Sequence, residues 1–350
     1  MIPHQPLSSP HQHGSAALDR VMIAVSIALI PAFITHFTLF GWGIITNLLI
    51  TIPAALGSEA LALWLRRRPI LPTLADNSAL VTALLLALIL PPLSPWWLLV
   101  TGAVAAILFA KQIYGGLGYN PFNPAMVGFV VLLISFPIEM TSWQAPLVNS
   151  DHPLTIIAAL NWVLFGELPP GILFDSMTMA TPLDHLKTEL SLHHTISEVR
   201  TDGTIFGVVA GASWEWINLA ILAGGLWLLQ QRVIRWHVPV ALLGTLALIS
   251  TLFYLINPEI YADPLFHLGG GGAVLGAFFI ATDPVSGATS PKGRLIFGAG
   301  AGLLIYLIRV WGGFPDGVAF AVLLMNMAAP TIDHYTQPRV AGHQRGEMHR

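Results

Sequence analysis

Residues 78–116 read SALVTALLLALILPPLSPWWLLVTGAVAAILFAKQIYGG, and no charged side chain occurs in this stretch before Lys111. Two apolar runs, near 79–93 and 95–110, are separated by prolines. A helix that crosses the hydrocarbon core of a bilayer needs about 20 apolar residues, so the first run is short for a complete span. The stretch predicts membrane helices, some of which are short or broken.

The composition of the whole chain agrees with this stretch. Of the 350 residues, 55% are hydrophobic and 9% are charged, whereas a soluble domain has about 25% charged residues. The net charge of −3 gives no basic surface of the kind that binds nucleic acid. Because the chain has no cysteine, its own thiolates cannot hold an iron–sulfur cluster. The composition predicts an all-α integral membrane protein and excludes an ordinary soluble enzyme.

Apolar runs delimited by proline, glycine and charge predict about ten transmembrane helices. The first set lies near 21–40, 44–65, 79–93, 95–110 and 124–139, and the second near 215–231, 237–256, 270–282, 295–311 and 317–333. Cytoplasmic segments are rich in Lys and Arg. With the N-terminus inside, all basic residues except Lys187, Arg200 and Arg309 fall in cytoplasmic segments. Both termini are therefore predicted to be cytoplasmic.

The runs divide the chain into five predicted regions. These are a cytoplasmic segment 1–20, a membrane repeat 21–139, a periplasmic loop 140–213, a second membrane repeat 214–333 and a cytoplasmic tail 334–350. The loop has an excess of acidic over basic residues, which fits an external position. Its apolar piece 154–165 is too short to span and predicts an interfacial or buried helix.

The two membrane regions share a local pattern. Lys111 to Gly116 (KQIYGG) follows the fourth run, and Arg309 to Gly313 (RVWGG) follows the corresponding run of the second set. Because each set has an odd number of spans, a second copy would be inverted in the membrane. Inverted repeats with a broken helix in each half commonly bind their ligand between the halves. Ordinary Gly-Gly loops are the alternative interpretation.

Two short segments match a Ser/Thr-x-Ala-Thr pattern. One is Thr178 to Thr181 in the loop, and the other is Ser286 to Thr289. The pattern is similar to the sequence at which flavin mononucleotide (FMN) is joined through its phosphate to a threonine hydroxyl. A simple turn is the alternative for so short a pattern.

Longer motifs resemble one protein family. These motifs are Tyr119–Ala125, Ala281–Arg294, Trp311–Asp316, Leu323–Asn326 and Asp333–Arg339. Together with the loop motif they resemble the D subunit of the Rnf electron-transport complex and its relative, the B subunit of the sodium-translocating NADH:quinone oxidoreductase. The resemblance covers about residues 20 to 340. It implies two inverted five-helix repeats, a urea-channel-like fold, in a bacterial inner membrane.

The resemblance also implies cofactors and partners. It implies covalent FMN and a second, non-covalent flavin such as riboflavin, in a complex that moves electrons between ferredoxin and NAD and translocates Na⁺ or H⁺. The implied partners are a periplasmic flavin-carrying subunit, iron–sulfur membrane subunits and a maturing flavin transferase. NADH is expected on another subunit, because the glycines at 269–272 precede a membrane run and do not join a strand to a helix.

By the same resemblance, FMN is attached as a phosphoester to Thr181. Thr178, Ala180, Pro182 and Asp184 complete the attachment motif. Met179 departs from the generic pattern, which has Gly there, and the 286–289 segment matches it better. The attaching transferase works on the periplasmic side, where the loop is predicted to lie, whereas 286–289 is predicted to be cytoplasmic. Thr181 is therefore the predicted site.

Other polar residues are candidates for a second site and for ion coupling. Asn120, Asn123 and Asp283 lie beside prolines near predicted cytoplasmic helix ends. They could hold the second flavin or a cation, or they could simply cap helices. Glu59 and Asp316 are candidates for an ion pathway, because carboxylates within spans usually face a cavity or a partner. A structural hydrogen bond is the alternative for both.

Two function classes remain at this stage. The first is a flavin-carrying subunit of an ion-translocating oxidoreductase, with electrons passing between FMN on Thr181 and the second flavin. The second is a channel or transporter for a small solute, which explains the spans but leaves the long loop and its motif without a role. His36 and His267 could in principle ligate haem, but no recognisable spacing pairs them.

Overall fold

The computed structural model describes residues 15–150, 153–201, 203 and 205–336. The segments 1–14 and 337–350, which hold most of the two predicted cytoplasmic ends, lie outside it. The α-helices of the described chain are α1 Ser15–Phe40, α2 Gly43–Leu65, α3 Ile70–Leu74, α4 Ser78–Ile89, α5 Trp96–Val104, α6 Pro124–Ser135, α7 Pro137–Thr141, α8 Ile156–Phe165, α9 Pro182–Ser191, α10 Ile196–Val199, α11 Ala212–Gln230, α12 His237–Ile256, α13 Pro264–Gly269, α14 Ala273–Leu275, α15 Pro291–Trp311 and α16 Val318–Thr336. The strands β1 Trp143–Gln144 and β2 Thr178–Met179 form one antiparallel pair.

The helix lengths confirm an all-α membrane protein with short helices. Five segments of the described chain are long and apolar enough to cross a bilayer: Leu18–Phe40, Gly43–Leu65, Ala212–Gln230, His237–Ile256 and Pro291–Trp311. In contrast, α4 and α6 have 12 residues each and are about 18 Å long, which is less than the core of about 30 Å. All ten predicted runs contain helix; that ten segments cross the membrane stays a prediction.

Two predicted spans are interrupted. The run 124–139 was expected to be one span, but α6 ends at Ser135 and α7 begins at Pro137. Proline has no backbone N–H and disfavours the helical conformation of the residue before it; accordingly Phe136 has φ −135° and ψ 60°. The run 270–282, which is predicted to be short, is not helical throughout either, because residues 270–272 form a turn that separates α13 from α14.

Two π-helical segments extend membrane helices. Ala105–Gln112 continues α5, and Gly276–Ile280 continues α14. Such segments are rare and frequently occur at functional sites. The first ends next to Lys111, whose side chain is 1% exposed. The expectation that Lys111 lies in a cytoplasmic loop is therefore wrong, because the wider turn carries this side chain into the bundle.

The helix packing in the two membrane regions corresponds. In the first region α2 packs on α4 and α5, α5 packs on α6, and α1 packs on α4. In the second region α12 packs on α13 and α15, α15 packs on α16, and α11 packs on α14. The regions meet where α1 packs on α11 and α6 on α16. This correspondence supports the predicted duplication, while its inversion across the membrane stays a prediction.

Glycine allows the closest helix contacts. A Cβ added at Gly224 of α11 would clash with the carbonyl oxygen of Ala28 in α1, and one at Gly302 of α15 would clash with that of Leu242 in α12. Small residues at such contacts are typical of membrane helices, whose association depends on close packing.

The region 140–213 is folded rather than extended. The predicted helix near 154–165 is α8, whose Ala159 and Val163 pack with Leu93 and Met177. Further along, α9 and α10 form a second apolar cluster with Phe206 and Phe266. The region thus has small cores of its own that rest on the membrane helices.

Candidate functional site

A cavity that is partly open to solvent lies between the 140–213 region and the membrane helices. We call it the Thr181 cavity. Its lining includes part of the predicted attachment motif (Thr181, Pro182 and Asp184) and the predicted ion-pathway residue Asp316. Aromatic lining comes from Phe129, Trp143 and Trp214. An apolar and aromatic lining of this kind suits a cofactor with an aromatic ring.

Thr181 caps the N-terminus of α9. Its Oγ1 accepts a hydrogen bond of 3.3 Å from the backbone N–H of Asp184, and Pro182 occupies the first helical position. This arrangement follows from the sequence, because Thr is a favoured N-cap and Pro is favoured at the first position. The candidate attachment hydroxyl therefore lies at a helix N-terminus, where backbone N–H groups and the helix dipole favour negative charge.

The rest of the motif holds Thr181 in place. Thr178 lies in β2 opposite Gln144 of β1, and its Oγ1 donates to the carbonyl of Asp175 over 3.3 Å. Ala180 connects β2 to Thr181. Met179, which departs from the generic pattern, pairs with the backbone of Trp143. The strand pairing thus fixes the approach of the motif to the cavity.

Lys187 attaches α9 to the end of α15. Its Nζ donates to the carbonyl oxygens of Gly312 (2.5 Å), Phe314 (2.8 Å), Arg309 (3.1 Å) and Ile308 (3.2 Å). A cation is favoured at a helix C-terminus, because the last carbonyl groups lack helical partners. We call this contact the Lys187 clamp; it holds the helix that begins at Thr181 against the second membrane region.

Two ionisable groups of α9 have shifted pKa values. Burial raises the pKa of Asp184, and the neighbouring His185 and Lys187 partly oppose this shift. Burial lowers the pKa of Lys187, and Asp184 opposes that shift. The surroundings of α9 therefore disfavour both charged forms relative to water.

Asp316 is held by a buried arginine. Its Oδ1 accepts from Nε of Arg309 at 3.2 Å and from Nη2 at 3.1 Å, and its Oδ2 accepts from the backbone N–H of Gly272 at 2.7 Å. Arg309 also donates to the carbonyl oxygens of His267 and Gly270. These contacts support the structural interpretation of Asp316, although its carboxylate also lines the Thr181 cavity.

Two further polar side chains line the Thr181 cavity. Asn218 of α11 is 5% exposed, and its Nδ2 donates to the carbonyl oxygens of Trp214, Gly269 and Gly271. His36 of α1 is 1% exposed. Within the described part of the chain, Oδ1 of Asn218 and both ring nitrogens of His36 have no hydrogen-bond partner. Buried polar atoms are normally paired, so these atoms have capacity for a ligand.

A second cavity brings together the residues predicted for a second site. We call it the Asn123 cavity. Asn120, Asn123 and Asp283 line it, together with Lys111 and Ser78. These residues come from both membrane regions, so the cavity lies between the two regions, which is where a predicted inverted-repeat fold would place a ligand.

Among the three residues predicted for this site, Asn123 caps a helix, whereas Asp283 and Asn120 bond within turns. Oδ1 of Asn123 accepts from the N–H of Met126 at the start of α6, and its Nδ2 donates to the carbonyl of Ile280 at 3.4 Å. Asp283 accepts from Ser286 Oγ at 2.7 Å and from the N–H of Val285 at 3.2 Å. Asn123 and Asp283 thus already use part of their hydrogen-bonding capacity within the protein.

Long-range pairing completes this arrangement. The backbone N–H of Asn123 donates to Oδ1 of Asn326 at 3.1 Å, whose Nδ2 donates to the carbonyl of Ser286 at 3.0 Å. Asn120 closes its own turn, because its Nδ2 donates to the carbonyl of Phe122 at 3.0 Å. Irregular backbone in a membrane protein must be satisfied by protein or line a cavity, and both conditions hold here.

The partition between the cavities is thin at α6. Asn123 lines the Asn123 cavity and Met126, one helical turn away, lines the Thr181 cavity. Ile280 also lines the Thr181 cavity, while its neighbours Phe279 and Thr282 line the other. One turn of helix is about 5 Å. Ligands in the two cavities would therefore be separated by little protein.

Glu59 forms a buried ion pair. Its Oε1 lies 2.5 Å from Nζ of Lys111 and accepts from Nε2 of Gln112 at 2.7 Å. Lys111 also donates to Oγ of Ser78 at 2.6 Å. Among the described residues, Oε2 of Glu59 has no hydrogen-bond partner. Glu59 and Asp316, grouped in the sequence analysis, thus lie beside different cavities.

The hydroxyl groups of the alternative motif at 286–289 already donate hydrogen bonds to carboxylates. Thr289 Oγ1 donates to Asp333 Oδ2 at 2.9 Å, and Ser286 Oγ donates to Asp283. Thr289 is exposed, while Thr181 is half-buried beside its cavity. The neighbouring Ser290 caps α15.

Sequence reasoning missed the residues that depend on distant contacts. Lys111 and Arg309 both precede the repeated Gly-Gly pair, and that shared position was the available signal of a common role. Lys187 and Asn218 gave no such signal, because their partners lie far away in the chain.

Comparisons with known proteins agree with the resemblance. Residues 6–342 match the sequence profile of the NQR2, RnfD, RnfE family. Proteins named as the D subunit of an ion-translocating oxidoreductase complex, from Shigella dysenteriae serotype 1 (strain Sd197), Escherichia coli (strain SE11) and Escherichia coli O157:H7, are each 50% identical to this chain over 346 residues. The matches cover 97% of this chain and 98% of each relative. The chain therefore belongs to the NQR2, RnfD, RnfE family.

Proposed function

We propose that this chain is the flavin-carrying membrane subunit of an ion-translocating oxidoreductase complex, with FMN joined to Thr181. The position of Thr181 carries the proposal: a threonine of the attachment motif lies at a helix N-terminus and lines a cavity with aromatic walls. The type of complex is inferred from the names of the relatives. When bound, the flavins supply the electron chemistry, and the residues of this chain bind and orient them.

The phosphate end of the cofactor is assigned to the start of α9. A phosphoester oxygen at Thr181 keeps the acceptor position that Oγ1 now has toward the N–H of Asp184. The negative charge of the phosphate is favoured at this helix end.

The second, non-covalent flavin is assigned to the Asn123 cavity. Its lining from both repeats, with Lys111 as a buried cation, supports this assignment. The thin partition at Met126 supports electron passage between the two cavities. We assign ion coupling to the Glu59–Lys111 pair, because a buried carboxylate with one uncommitted oxygen among the described residues could release Lys111 or take up a cation.

The proposal orients the chain in a bacterial inner membrane, with the 140–213 region periplasmic. This side faces the expected partners, a flavin transferase and a periplasmic flavin-carrying subunit. Iron–sulfur clusters are expected on other membrane subunits, since this chain has no cysteine. The NADH site is expected on another subunit as well.

In-gel fluorescence tests the attachment. The chain is co-expressed with a flavin transferase, denatured and viewed under ultraviolet light, alongside Thr181→Val and the matched control Thr289→Val. We expect a fluorescent band in the wild type and in Thr289→Val, and a dark band in Thr181→Val, because valine lacks the hydroxyl needed for the ester. Loss of the signal in Thr289→Val alone would move the site to the other motif. A dark wild-type band would favour the solute-channel alternative.

A further inference from the structure

We infer that Asn218 and His36 bind the pyrimidine edge of the flavin ring inside the Thr181 cavity. This inference rests on the proposed function and extends it from the phosphate end of the cofactor to its reactive ring. It assigns a recognition role to two buried membrane residues that lie outside the attachment motif.

The orientation of Asn218 supports an acceptor role. Three carbonyl oxygens hold its Nδ2, at 2.8 Å from Gly269 and 3.2 Å from Trp214 and Gly271. These bonds fix which end of the amide is the oxygen. Its Oδ1 has no partner among the described residues and belongs to a side chain that lines the cavity. Leaving a buried acceptor without a partner is unfavourable, and a ligand N–H would remove this cost.

His36 supplies the complementary donor. A neutral imidazole has one N–H donor and one acceptor nitrogen, and neither nitrogen of His36 is bonded within the described chain. Its ring lies 4.8 Å from that of Phe40, whose ring lies 5.2 Å from Trp214. Trp214 is one helical turn from Asn218 on α11, and α11 packs on α1. The two polar side chains therefore belong to the same helix interface.

The pair matches the chemistry of the ring. The pyrimidine edge of an isoalloxazine carries an N–H flanked by two carbonyl groups, so it needs an acceptor beside a donor. Asp316 is less suited, because both of its oxygens are already bonded to Arg309 and Gly272. The remaining wall of the cavity is largely apolar and aromatic, as the tricyclic ring requires.

The chain offers matched controls. Asn47 of α2 donates from Nδ2 to the carbonyl oxygens of Ala87, Leu90 and Pro91, and its Oδ1 also lacks a partner among the described residues. His267 of α13 is buried with both ring nitrogens likewise unbonded in the described chain. Asn47 and His267 are outside the described lining of the Thr181 cavity. Their variants therefore measure only the structural effect of losing a buried polar side chain.

The test uses the full chain carrying covalent flavin. His36→Phe, His36→Gln and Asn218→Leu are compared with His267→Phe and Asn47→Leu, after size-exclusion chromatography has confirmed a folded chain. The measurements are in-gel fluorescence, iodide quenching of the native flavin and its midpoint potential. We expect every variant to keep the covalent flavin, and the Asn218 and His36→Phe variants to show increased quenching as the ring loosens.

The midpoint potentials separate recognition from a structural effect. Reduction adds electron density to the ring, so a hydrogen bond donated to its carbonyl strengthens and one accepted from its N–H weakens. His36→Phe should therefore lower the potential, Asn218→Leu should raise it, and His36→Gln, which keeps a donor and an acceptor, should stay near the wild type. The control variants should leave it unchanged.

Each outcome decides the inference. Equal potentials and quenching in wild type, His36→Phe and Asn218→Leu would overturn it and would mean that these atoms bind only water. Shifts of the same sign in both variants and in their controls would also overturn it. If His36→Phe does not fold, the test is whether the midpoint potential of Asn218→Leu rises relative to that of Asn47→Leu; no rise would overturn the inference. A wild-type chain without covalent flavin would instead refute the proposed function.

Discussion

The two membrane regions each place a buried cation before a Gly-Gly pair, but they satisfy it differently. Lys111 depends on a carboxylate from another helix, and the Lys111 and Glu59 side chains are 1% and 0% exposed. Arg309 is bonded to two backbone carbonyls and to Asp316, seven residues further along, whose side chain is 30% exposed. Corresponding positions in the two membrane regions therefore differ: Arg309 is a fixed brace in the second region, whereas Lys111 belongs to a less restrained ion pair in the first.

This difference indicates where charge movement is feasible. A guanidinium with several fixed acceptors gains little by changing partners. An ammonium held by one carboxylate oxygen and one hydroxyl can be displaced with fewer bonds broken. Ion coupling is accordingly assigned to Lys111 and Glu59, while Arg309 and Asp316 shape the wall of the Thr181 cavity.

The largest effect is expected from Lys111→Met. This change leaves the Glu59 carboxylate buried without its cation, which costs about 3–5 kcal/mol. We expect a correspondingly lower free energy of unfolding in detergent, measured by denaturant titration.

Lys111→Met combined with Glu59→Leu is the control for this prediction, because replacing both charges by apolar groups is often close to neutral. If the double variant is no more stable than Lys111→Met alone, the two charges do not act as a pair.

A smaller loss is expected from Arg309→Met. Asp316 keeps its hydrogen bonds from the N–H groups of Gly272 and Val318 and has access to water, so the loss should be about 1–3 kcal/mol. The same unfolding measurement compares it directly with Lys111→Met. A loss as large as that of Lys111→Met would mean that these N–H groups and water do not compensate Asp316 for the missing arginine.

Lys187→Met should have a local effect. It removes the Lys187 clamp but leaves the membrane helices intact, and the docking of α9 should weaken by about 1–2 kcal/mol. We expect faster limited proteolysis between residues 182 and 201, with little change in global unfolding. The matched control is Lys292→Met, on the other end of α15; equal proteolysis of both variants would contradict the clamp.

The smallest effect is a pH dependence at Asp184. Burial raises its pKa in the folded chain above the ordinary value of 3.8, so folding favours the neutral carboxyl. The stability that this gives is present below the ordinary pKa and is lost as the pH rises through the raised one. The docked α9 should therefore be cleaved faster as the pH moves from acidic to neutral. Asp184→Asn should flatten this profile; an unchanged profile would mean that another group titrates.

Much of the helical framework could be predicted from the sequence. The expected run 237–256 coincides with α12, and 44–65 differs from α2 by one residue, because prolines, glycines and charges mark such ends. The break at Phe136 was missed although Pro137 was visible, since the apolar run continues through it. The π-helical segments gave no sequence signal, because their composition is that of any apolar helix.

The candidate site was predictable only where it is local. The capping role of Thr181 follows from its own neighbours, and Asn120, Asn123 and Asp283 line one cavity as their positions at helix ends suggested. The Lys187 clamp and the fixed amide of Asn218 depend on acceptors brought together by the tertiary fold. Such partners become visible only when the helix packing is known.

The Lys187 clamp also sets an order of events during synthesis. Its acceptors lie 121 to 127 residues further along the chain than Lys187 itself. At the usual rate of about 5–20 residues per second, they are made roughly 6–25 seconds after the lysine. During that interval α9 cannot dock on α15, and Thr181 stays open on an incomplete chain. The transferase of the proposed function would thus have access to Thr181 before the second membrane region is complete.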